Sequence, residues 1–154
     1  VTGVQTCALP TLRKIADDLA ASLQAATLTV SPVTIERRNW AAIDIEQMAH
    51  PVVIVVPGGI DTSRIGRIDW QHDNAVTVFV GRHVATDADV DEMFDLADEL
   101  LTHIRSHSLT GGVTTPQTVT VEINPDDAMT DRNVWRAVIT ATYRTLSSDT
   151  LPTE

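Results

Sequence analysis

Histidine is the side chain a metal or a general base most readily recruits near neutral pH, and the chain holds five. His103 and His107 are four residues apart and would share one face of a helix. The residue after His103 is Ile104, so the zinc-protease signature H-E-x-x-H fails. The expected state of the pair is two solvated cations at a helix C-terminus, where the dipole favours positive charge. His72 stands beside Asp73 at an expected turn and His50 precedes Pro51, and both are expected at the surface or an interface. An enzyme built on this sequence would need a pocket gathering His50, His72 or His83 with carboxylates.

Other chemistry-bearing patterns fail residue by residue. Asp87, Asp89 and Asp91 have the alternate spacing of a calcium loop. Such a loop needs glycine at its sixth position, where Glu92 stands, and glutamate at its twelfth, where Asp98 stands. Acids at the start of a helix explain the run. Gly58-Gly59 lacks the Gly-Lys-Ser/Thr of a phosphate cradle, and Gly111-Gly112 does not lead from a strand into a helix, so both pairs are expected in turns. No G-x-S-x-G elbow is present. Trp40, Trp70 and Trp135 are scattered without interleaved cations, which argues against a base-stacking platform and for core or interface anchors. Arg64 and Arg67 flank a strand entrance and either meet acids of a neighbouring subunit or stand on the surface without consequence. The expectation is therefore no catalytic residue, no metal, no cofactor and no enzyme activity, with the subunit interface unassigned.

Composition narrows the partners. The 154 residues carry 21 acidic and 11 basic side chains, a formal charge of −10, and 43% are hydrophobic. That hydrophobic fraction supports one globular core. The negative charge repels nucleic acid and anionic membranes at long range. No apolar run approaches the roughly 18 residues of a membrane span, and no signal peptide is expected. Val1 to Pro10 is uncharged and resembles a translated sequencing adapter, so residues 1–10 are expected to be a non-native scar. Cys7, the single cysteine, goes with it, leaving no thiol nucleophile and no internal disulfide.

The elements that would carry these residues follow from periodicity. Leu12, Ile15, Ala16, Leu19, Leu23 and Ala26 recur at three- and four-residue steps from Thr11 to Ala26, an amphipathic helix. Val33 to Arg38 forms a first strand, and residues 39–50 a connector with a short helical turn. The β-branched run from Pro51 to Pro57 reads as a strand covered on both faces, the expected sheet centre. Gly58-Gly59 then opens an expected polar loop through Ser63-Arg64. Strands around Ile68 to His72 and Val76 to Val80 are expected to pair across an Asp73-Asn74 turn. Thr86 or Asp87 caps a second helix whose stripe is Val90, Met93, Phe94, Ala97, Leu100, Leu101 and Ile104. Leu109 to Pro116 is the expected mobile loop. Val119, Val121 and Ile123 mark a half-buried strand, and Val134 to Leu146 the last one, with Ala137, Ile139, Ala141 and Tyr143 inward. The expected fold class is α+β: a mostly antiparallel or mixed β-sheet with two amphipathic helices on one face, a single domain over residues 11–146, and a disordered tail over 147–154.

In layout the chain resembles the tail terminator, or tail completion, proteins of long-tailed bacteriophages. The features that carry the resemblance are the helix from Leu12 to Ala26, the acidic connector Ile43 to Glu46 and the V-x-V-V-P run from Val53 to Pro57. Ser63-Arg64, the strands from Ile68 to Val80, the acidic helix from Val90 to Ile104 and the T-Y-R ending at Thr142 to Arg144 complete it. The resemblance implies a structural virion protein of the phage tail, assembled in the bacterial host cytoplasm. It would form a ring, usually a hexamer, at the head-proximal end of the tail tube. Such a ring halts tube polymerisation and offers a surface to the head–tail connector. The implied partners are other copies of the chain, the major tail tube protein and the connector protein, with no specific nucleic-acid or membrane partner. Another head–tail connector or minor tail protein is the nearest alternative, and a small-molecule-binding α+β domain or enzyme the next.

Overall fold

Helix α1 (Leu12–Ala25) begins where the Thr11 side chain accepts the Lys14 amide, satisfying one of the amides a helix start leaves unpaired. Its buried stripe is Ile15, Ala16, Leu19, Ala20 and Leu23, which repeats at the period of one helix face. The computed structural model describes residues 11–30, 32–40, 49–109, 115–124 and 133–149. The adapter-like residues 1–10, most of the 39–50 connector, the centre of the Leu109 to Pro116 loop and residues 150–154 lie outside them.

Five strands form one sheet: β1 (Thr34–Arg37), β2 (Val52–Arg64), β3 (Asp69–His83), β4 (Thr118–Ile123) and β5 (Val134–Ser148), with α2 (Asp87–Ser106) between β3 and β4. The spatial order is β1-β2-β3-β5-β4, with β1 parallel to β2 and the other pairs antiparallel. Inward residues of three strands, among them Val53, Val55, Val78, Trp135, Ile139 and Tyr143, share one core with Leu19 and Leu23 of α1 and Met93 and Leu100 of α2. Both helices thus cover one face of a mixed sheet in a single α+β domain. The start of α2 is closed by a reciprocal box: Thr86 accepts the Asp89 amide, and Asp89 accepts amides from Ala85 and Thr86.

Several sequence expectations need correction. The segment from Gly58 to Arg64 is strand, not loop, and the register shifts between Pro57 and Gly59. That bulge accommodates a proline that cannot donate to the ladder. Asp73 and Asn74 are not a turn. They sit inside β3, where Asp73 pairs with Arg144 at 3.0 Å and the buried Asn74 amide donates to the Tyr143 carbonyl and the Thr145 hydroxyl. Polar residues that would break an isolated strand are satisfied here by β5. The two short strands expected to pair with each other are one strand, whose partners are β2 and β5.

The reversal between β2 and β3 falls instead at residues 65–68, where the amides of Ile65 and Gly66 both donate to the Asp69 carbonyl. The first five residues of β2 are covered on both faces as expected, with Val53 and Val55 in the core and Val52, Ile54 and Val56 buried beside Phe79 away from the helices. The centre of the sheet, however, is β3. β4 is an exposed edge rather than half-buried, with only Val119 packed against the core. In α2, Leu96 joins the buried stripe while Phe94 is largely exposed, its ring edge on Trp135. β5 extends to Ser148, and the Asp149 amide donates to the Ile68 carbonyl, so this part of the expected tail is anchored.

Candidate functional site: a cleft at the helix ends and an exposed arm

The last turn of α1 and the second half of α2 enclose a cleft of about 720 Å³, lined by residues that include Ser22, Ala25, Leu28, Asp98, His103 and His107. Ser22 borders the buried stripe of α1, three residues after Leu19, and His103 comes one turn before the end of α2. Their side chains meet at 2.8 Å between Oγ and Nε2. His107 stacks on His103 with ring centroids 3.8 Å apart and planes 16° from parallel, its Nδ1 lying 3.0 Å from the His103 carbonyl. Glu99 is held at the rim, accepting from the Thr29 amide at 3.1 Å and from the Thr29 hydroxyl.

Electrostatics distinguish the two histidines from the expected pair of solvated cations. Burial holds the His103 imidazole below its ordinary value, the adjacent His107 adds to this, and a hydrogen bond that Ser22 accepts opposes it. His103 is half-buried and His107 exposed, so only His107 matches the expectation of a solvated side chain.

A serine bonded to an imidazole invites comparison with a nucleophile and its base. Acyl transfer also needs a group orienting the base and donors aimed at a developing oxyanion. Among the described residues no carboxylate hydrogen-bonds to His103. Both helix termini at the cleft are C-terminal, so the negative ends of their dipoles oppose negative charge there. With Asp98 and Glu99 on its wall, the cleft is suited to a cationic group.

The remaining candidates are dispersed. His72 lies between the Thr62 hydroxyl at 3.1 Å and the Ser147 hydroxyl at 2.7 Å, bridging β2 and β5. His50 and His83 are exposed near the opposite end of the sheet, where Val52 is paired with Gly81. The three are not brought together. Asp89 serves the α2 cap and Arg82, whereas Asp87 and Asp91 are exposed. Gly58 and Gly59 sit in strand, and Gly111-Gly112 lies outside the described residues. Among the described residues no group of three or more His, Cys, Asp or Glu is placed to hold a metal ion, and no helix is long and apolar enough to cross a membrane.

A second surface is the arm beyond the bulge, where the last seven residues of β2 are exposed and pair with the first half of β3, itself paired with the end of β5. Ile60, Ile65 and Leu146 are each more than half exposed there. The Arg64 guanidinium lies 4.6 Å above the centre of the Trp70 ring and donates to the Arg67 carbonyl at 2.9 Å. Of the three tryptophans, Trp135 is core, Trp70 supports Arg64, and Trp40 is 71% exposed. The His103–His107 spacing was visible in sequence. Ser22 was missed because nothing local signals a partner 81 residues away.

No protein-family model and no curated protein matches the sequence. In three dimensions the chain is similar to one from a structure titled "Virion of native gene transfer agent (GTA) particle", with a TM-score of 0.53 and 12% identity, over 86% of this chain and 95% of that one. The two chains share a fold. At this identity the likeness concerns architecture.

Proposed function

We propose that this chain is a structural virion protein that closes into an oligomeric ring on the end of a phage tail tube, stops tube polymerisation and presents the head–tail joining surface. The observation that carries the reading is the fold shared with a chain of a gene transfer agent virion, which is matched over nearly its whole length. Two features of the molecule support it. The arm and the β4 edge expose apolar and β-branched side chains, among them Ile60, Ile65, Val121 and Ile123, that a solitary protein gains nothing by exposing. The cleft carries Asp98 and Glu99 on its wall, which favours a cationic group from a neighbouring molecule. Function then resides in contacts with other copies, with the major tail tube protein and with the connector, without cofactor, nucleic acid or membrane.

Tube assembly tests this. Major tail tube protein polymerised with the purified chain should give tubes of arrested length carrying a ring at one end by electron microscopy. Tubes of unchanged length with bare ends would overturn the proposal. A ring bound only to the head connector would move the chain to the neighbouring head–tail joining role, which the same fold supports. Turnover of a substrate abolished by Ser22→Ala would restore the enzyme reading.

A further inference from the structure

We propose that the cleft between the ends of α1 and α2 receives the arm tip of a second copy of the chain, with Arg64 and Arg67 of one copy set against Asp98 and the helix-terminal carbonyls of the next. The inference rests on the ring reading above and names the contact that would build it.

The cleft supplies half the argument. The C-terminal ends of both helices lie at it, and each brings the negative end of its helix dipole. Among the described residues no lysine or arginine lines it. Glu99 is already occupied by Thr29, but Asp98 is exposed and has no ionic partner among the described residues. Ala25 and Leu28 provide apolar wall beneath these charges. Burial beside α1 favours the uncharged form of the half-buried His103, so near neutral pH it leaves the negative field of the cleft standing.

The arm tip supplies the complement. Ile65 is 54% exposed and stands between Arg64 and Arg67, in a protein whose formal charge is −10. Arg67 is exposed and has no ionic partner among the described residues. Arg64 is held in place by Trp70 and the Arg67 carbonyl, which lowers the ordering cost of docking. An apolar side chain flanked by two guanidinium groups matches an apolar wall flanked by a carboxylate and helix carbonyls.

The occupant must come from another copy. No arm residue lines the cleft of its own chain, and the arm is fixed to β5 by the pairing of Asp69 with Ser148 and by the Asp149 amide on Ile68. A contact joining two different patches is head-to-tail, and such contacts close into a ring when the rotation between copies permits.

A charge swap on the full chain tests the docking. Arg67→Glu and Asp98→Lys, each alone, should weaken self-association at least about tenfold by sedimentation. The two changes together in one chain should recover most of that loss. Neither side chain makes an ionic contact within the described residues, so melting by circular dichroism should be unchanged and a loss of association is not a loss of folding. Rings that survive both single changes overturn the docking and leave the proposed function standing. Single losses without recovery in the pair also overturn it. A wild-type chain that forms no ring at any concentration overturns both.

Discussion

His103 carries a charge state set by its surroundings. Because its folded value lies below the ordinary one, the unfolded chain takes up a proton that the native chain refuses as pH falls through about 6.5. The stability is fully present above that range and declines below it. The groups acting on the imidazole are Ser22 from α1 and His107, the residue that caps α2, while Asp98 and Glu99 line the same cleft. Urea midpoints measured between about pH 7.5 and about pH 5.5 should fall for the wild type and fall less for His103→Gln; equal slopes would remove His103 as the cause. Tyr143 is the converse case, since burial pushes its phenol well above the ordinary value and its hydroxyl has no partner among the described residues. Removing an unpartnered hydroxyl relieves a desolvation cost, so Tyr143→Phe should leave stability unchanged or raise it by up to about 1 kcal/mol in chemical denaturation. A clear loss would reveal a hydrogen bond to that oxygen. The stacked histidines were legible in sequence as neighbours on one helix face. The depressed value of His103 was not, because it arises from burial beside α1.

At the scale of elements, the bulge in β2 determines how the arm leaves the core. A Cβ at Gly58 would stand 2.8 Å from the Ala75 carbonyl and 3.1 Å from the Thr77 hydroxyl, whereas at Gly59 it would meet nothing. Gly58→Ala should therefore cost about 1–3 kcal/mol because backbone must move, and Gly59→Ala should stay within about 0.5 kcal/mol. Thermal melting of the two variants checks the contrast; equal costs would show that the bulge does not depend on Gly58. Both helices and the inward faces of β2 and β5 were readable from periodicity, since each buries one continuous stripe. The merging of short segments into long strands was not. Pro57, the glycine pair and Asp73-Asn74 are local breakers; Pro57 and Gly59 become strand through Val76 and Ala75 of β3, and Asp73 and Asn74 through Arg144 and Tyr143, some 70 residues further along. The exposure of β4 was hidden for a related reason. Alternation in Thr118 to Ile123 reports a strand, but not that it sits at the edge of the sheet.

The whole molecule presents an acidic exterior, two sheet edges, a fixed arm and a cleft of opposite polarity to the arm tip. The proposed function uses them as surfaces for contact. Head-to-tail association of identical copies has only two outcomes, closure or open growth, and the account requires closure. The most direct measurement is the native mass of the purified full chain over a wide concentration range. The account predicts one discrete multimer whose copy number stays constant as concentration rises. A monomer throughout, or a ladder of ever larger species, would contradict it.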